Sequence, residues 1–215
     1  MEAFGEKPGK NGRSKRLWRR TSAPEPIERS FCTTEADRTE GIRMLTMDTS
    51  WKTDIWHQFG AAIDMLERAI RACPDTLWGD RSQRPEFWYI VFHTLFFLDF
   101  YLTDSDAGFS PPAPFTRDEL DKDGVLPQCV YSKDELLSYL EHGRKKCRET
   151  LQALTEERAG QRCGFDWLDI SVAGILLYNM RHVQHHTGQL NLILRQQVNS
   201  APRWIRKTDL ALGAE

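Results

Sequence analysis

The chain lacks most of the signatures that assign a chemistry outright. It has no G-x-S-x-G, no P-loop and no G-x-G-x-x-G, so serine-hydrolase and nucleotide-binding readings have no support. Its five cysteines form no C-x-x-C pair and are odd in number, which argues against a zinc ribbon or a full disulfide framework and points to a reducing cytoplasm. No uninterrupted apolar core follows the basic residues of the N-terminus, so a secretory signal is not expected. Neither sign of charge dominates, with 29 Lys and Arg against 31 Asp and Glu, and the basic excess of a nucleic-acid binder is missing. A membrane span is lacking too. The most apolar stretch, Phe87 to Leu102, is 16 residues long and contains His93 and Asp99, where a span needs about 20 apolar residues. A helix apolar all round is instead expected in a core or a subunit contact.

What is present is helical patterning over most of 215 residues, enough chain for one substantial core. Residues 1–48 are rich in Gly, Ser, Thr, Pro, Arg and Glu without apolar periodicity, and read as a disordered basic tail. Its cluster from Lys15 to Arg20, with Trp18 inside it, reads as solvated. Met44 or Met47 would make a natural start, leaving the first 46 residues as an extension that the fold does not use. Residues 49–215 are expected to form one helical domain.

Four helices are expected there. From Trp51 to about Ala72, Ile55, Phe59, Ile63, Leu66 and Ile70 recur at three-to-four spacing, and Pro74 ends the run. The second covers about Glu86 to Leu102, with Pro85 suited to a first helical turn. Residues 103–131, with Pro111-Pro112-Ala113-Pro114, read as a long crossover loop, and a loop of that length is usually functional or mobile. Ser132-Lys133-Asp134-Glu135 has the form of a capping box opening the third helix, whose stripe is Leu136, Leu140, Cys147, Leu151 and Leu154. The fourth runs from Ile170 or Ser171 to about Gln197, with Asn199 and Pro202 marking its exit. The fold class is therefore all-α, a four-helix bundle, an architecture that builds metal sites between facing helices.

The residues with chemical content are histidines. His182 and His186 stand four apart, so their rings leave one helix face a turn apart and can reach one ion. Ile175, Asn179, Leu190 and Ile193 continue that face, which points it inward. His93 lies mid-way along the most apolar helix, where an unpartnered ring would cost roughly 1–3 kcal/mol. Three converging imidazoles would answer that cost and leave coordination positions open, although spacing alone leaves a hydrogen-bonded structural role equally open. His185 points toward Tyr178 and Leu192, off the ligand face, and reads as a supporting group and a candidate for proton transfer. Gln189 sits where its amide could orient a ligand. His57 and His142 fall off the apolar stripes and read as solvated. Val183 replaces the Glu of H-E-x-x-H, and no inward Glu-x-x-His pair of a di-iron bundle is found on the fourth helix.

With Phe92-His93-Thr94-Leu95-Phe96-Phe97-Leu98-Asp99 and His182-Val183-Gln184-His185-His186-Thr187-Gly188-Gln189-Leu190 on the page, the chain resembles the DinB-like (YfiT-like) family of metalloenzymes over about residues 50–200. The resemblance implies a four-helix bundle, often a homodimer, whose divalent metal, usually zinc or nickel, is held by residues matching His93, His182 and His186. It also implies thiol-dependent transferase or isomerase chemistry with a low-molecular-weight thiol such as bacillithiol or mycothiol. The long tail departs from that family pattern. Two functions are then expected to compete: a metal-dependent enzyme that activates a thiol or water against a small electrophile, and a non-catalytic, metal-stabilised dimeric stress or interaction module.

Overall fold

The computed structural model describes residues 50–82, 84–121, 127 and 129–213. The tail expected to be disordered, Cys32 and the alternative starts lie outside the described residues, as does part of the crossover loop.

Four long helices carry the fold: α1 (Ser50–Ala72), α3 (Phe87–Phe100), α4 (Lys133–Ala153) and α6 (Val172–Val198). Two short ones, α2 (Asp75–Trp78) and α5 (Glu156–Gly160), and a 3₁₀ turn at Asp118–Leu120 lie in the connections. No β-strand occurs among the described residues. Isolated bridges link Ser105 to Gly164 and Arg162 to Ser171. No described helix is long and apolar enough to cross a membrane.

The helix ends follow from local chemistry. Glu135 donates its backbone N–H to the Ser132 hydroxyl, and the Ser132 N–H donates to the Glu135 carboxylate at 2.7 Å, completing the capping box of α4. Ser171 caps α6 by accepting from Gly174 N–H at 3.0 Å. Asn199, at φ 52°, turns the chain left-handed at the other end of α6. At α3 the expectation needs a correction: Glu86 is the N-cap, so Pro85 stands outside the helix rather than in its first turn.

α1 and α3 each pack against both α4 and α6, closing the four-membered bundle. Phe59, Ile63, Leu66 and Ile70 of α1 and Leu136, Leu140, Cys147 and Leu151 of α4 are fully buried, so both expected stripes face the core. α3 is enclosed by its own chain on nearly every side. Its only part-exposed residues are Tyr89, His93 and Phe97, spaced by four, and this narrow seam is where the helix carries a polar ring to the surface. The C-terminal carbonyls of α3 are used as well: Asn179 of α6 donates to Leu98 O at 2.9 Å, and Lys146 of α4 donates to Asp99 O at 3.0 Å. Both neighbours are thereby fixed in register against the helix that bears His93.

Candidate metal centre

α6 presents His182 and His186 one turn apart, and α3 presents His93 opposite them. One ligand-capable atom from each of the three lies within 4.8 Å of the others. His93 Nε2 and His182 Nε2 are 3.4 Å apart. Two imidazole nitrogens bound at about 2.0–2.1 Å to one tetrahedral ion stand about 3.4 Å apart, so this pair already has the spacing of a ligand edge. The His186 ring centroid lies 4.8 Å from that of His93 and 4.5 Å from that of His182. All three rings are partly buried, His93 being 28% exposed rather than enclosed as its apolar helix suggested. The seam through Tyr89 and Phe97 opens there.

Hydrogen bonds on the outer edges select which nitrogens face inward. His93 Nδ1–H donates to Glu119 Oε2 at 2.7 Å, leaving the Nε2 lone pair for the centre. His186 Nδ1–H donates to Gln189 Oε1 at 2.7 Å, with the same consequence. Burial, reinforced by the surrounding imidazoles His186, His93 and His185, pushes His182 down to about 3, and burial lowers His186 as well. Both are held neutral, the form that ligates. His182 Nδ1 and the Asn179 Oδ1 one turn before it are buried without a hydrogen-bond partner. A set of three imidazoles with converging nitrogens fits a divalent cation in its donor chemistry.

His185 is exposed and stands outside the three-nitrogen cluster. The Gln189 amide donates to its Nε2 at 3.2 Å, so one glutamine ties it to His186. With Tyr178, Arg181, His182 and Gln184 it lines an open cavity of about 450 Å³ on the flank of α6. His142 is half-exposed but sets its Nε2 3.5 Å from buried Asp99, and His57 lines a separate polar cavity beside Arg206 and Asp209, so neither is merely solvated. Among the described cysteines, burial pushes the Cys73 thiol up to about 12 and raises Cys147 too, leaving neither poised as a nucleophile.

Glu119 is the residue that sequence reasoning missed. It sits on the 3₁₀ turn of the crossover loop, its side chain is only 4% exposed, and its Oε1 has no hydrogen-bond partner. Tyr89, whose phenol is raised by burial and then by the nearby Glu119 charge, borders it. No periodicity or motif surrounds Asp118-Glu119-Leu120, so only the length of the loop signalled function.

Fold and site together define a class, an all-α bundle with a three-histidine cluster that could hold a metal ion. Residues 58–190 match the family model of the DinB superfamily, and the chain belongs to that superfamily. No curated protein and no solved structure matches it.

Proposed function

We propose that this protein is a metal-dependent enzyme in which His93, His182 and His186 hold a divalent ion, zinc or nickel, and a thiol or water attacks a small electrophile beside it. The supporting observation is the convergence of three imidazoles next to an open cavity. A divalent ion bound there would supply Lewis acidity that favours the deprotonated nucleophile near neutral pH. The protein's own groups do the rest. Glu119 and Gln189 hold protons on the outer nitrogens of His93 and His186, and the aromatic rings of Phe97 and Tyr101 wall the His182 side. His185, on the cavity wall and within hydrogen-bonding reach of Gln189, is placed to take a proton from the attacking group. A low-molecular-weight thiol cosubstrate, a homodimeric state and a cytoplasmic setting belong to the same proposal.

The alternative, a metal-stabilised interaction module with α3 as its dimer face, draws less support because α3 spends its apolar surface inside its own bundle. The deciding experiment measures metal per chain and turnover of thiols with an electrophilic acceptor in wild type and His93→Ala. About one ion per chain and activity, both lost in the variant, are expected. Turnover that persists in His93→Ala would refute the enzyme reading.

A further inference from the structure

The cavity beside His182 adjoins a second one. A groove of about 200 Å³ is lined by Gln58, Ala61, Ala62, Met180, Trp204 and Ile205, and it shares Arg181 and Gln184 with the cavity that His182 and His185 border. The two spaces adjoin at Arg181 and Gln184 as a trough in two parts along α6, the first bordered by His182 and His185 and the second mostly apolar toward Trp204. Trp204 is 65% exposed, a large ring left uncovered at the far end.

Charge along the trough is one-sided. No aspartate or glutamate lines either part, and Arg181, at the junction, is the only formally charged residue among the lining of both. Among the described residues no carboxylate pairs with Arg181. The buried cations of the bundle are paired, Arg144 with Asp64, Glu67 and Glu141, and Lys146 with Asp99, whereas Arg181 is set apart by lining both spaces. A guanidinium offers a planar fork that matches a carboxylate in two parallel hydrogen bonds. Three neutral ligands would leave the charge of a bound divalent ion uncompensated, adding to the same positive field.

We propose that the substrate is a small organic anion whose carboxylate-like group is held by Arg181, with its apolar end along the groove toward Trp204 and its reacting end at His182. This assigns a substrate class to the site proposed above and rests on that reading for the position of the reacting end. Arg181 is a specificity residue in this scheme, and Gln184 gives the anion a second donor.

The test uses a matched pair of probes, 1-naphthylacetate and its neutral amide, titrated calorimetrically into full-length metal-loaded protein. The acid should bind about threefold to fivefold more tightly than the amide, as an ion pair to the exposed Arg181 can supply. Arg181→Gln should bring the ratio to about one with the amide unaffected, and Arg181→Lys should keep part of the preference. Equal binding of the two probes, no binding of either at millimolar concentration, or a preference that survives Arg181→Gln would overturn the inference, the last by shifting the anion to the metal or to Arg206 and Lys207. His93→Ala, which lines neither part of the trough, separates the two proposals. Loss of metal with the acid preference retained supports Arg181 as the anion site, whereas loss of the preference overturns it. A wild-type protein that binds no metal yet prefers the acid through Arg181 would remove the enzyme reading and leave the anion site standing.

Discussion

A single hydrogen bond decides how His93 meets the centre. With Glu119 accepting from Nδ1, the ring is fixed in tautomer and rotation, and Nε2 faces His182. Outer partners of this kind typically account for about 10–100-fold in metal affinity. Glu119→Ala is accordingly expected to weaken binding by a factor in that range, read by competition with a chelator of known affinity. Glu119→Gln keeps an acceptor oxygen without the charge and should lose less. Identical losses in the two variants would mean that charge, not orientation of His93, is what Glu119 contributes. Gln189 acts similarly on His186 but is exposed, so its amide competes with water and its removal should matter less.

Between elements, α1 and α4 are joined by more than apolar contact. Arg144, 8% exposed at its side chain, reaches Asp64 and Glu67 of α1 and Glu141 of its own helix. One residue before it, Gly143 has no Cβ where one would come within 2.8 Å of Leu98, and that absence allows α4 to lie close to α3. Arg144→Met would leave Asp64 and Glu67, which are only 21% and 25% exposed, without their cation. Removing one partner of a well-buried pair costs about 3–5 kcal/mol, and the partial exposure of both acids lowers the expected loss to about 2 kcal/mol. Urea unfolding monitored by circular dichroism measures it. A loss below about 0.5 kcal/mol would show that water serves these carboxylates as well as Arg144 does.

At the scale of the whole molecule, residues 45–215 form a compact unit, and the segment after α6 is strapped back across α1. Thr208 N–H donates to His57 O at 3.0 Å, the Trp56 indole donates to Leu210 O at 2.7 Å, and the Gln58 amide donates to Arg206 O at 3.1 Å. Because these contacts and all four long helices lie after Met47, a chain begun at Met47 should keep the metal content and melting temperature of the full protein. Metal should stabilise both forms: an ion at 100 times its dissociation constant contributes about 2.7 kcal/mol, or roughly 5–10 °C in a domain of this size. Thermal scans with and without a chelator check both expectations. A shorter chain that melts well below the full one would show that residues before Met47 support the fold.

The sequence by itself determined the four long helices to within a residue or two, because capping groups and three-to-four apolar spacing act over a single turn. Ser132 with Glu135, Ser171 and Asn199 are all found at the helix ends that they signalled. The pairing of His182 with His186 was legible for the same reason, since a helix places residues four apart on one face wherever it sits. The choice of His93 as their partner rested on family resemblance and on the oddness of a polar ring in an apolar helix. Its actual approach depended on how α3 and α6 pack. Glu119, the two-part trough beside His182 and Trp204, and the isolation of Arg181 from every described carboxylate were decided only by tertiary structure. Each brings together residues far apart in the chain, and no local spacing records which of many exposed or loop residues the folded bundle will set side by side.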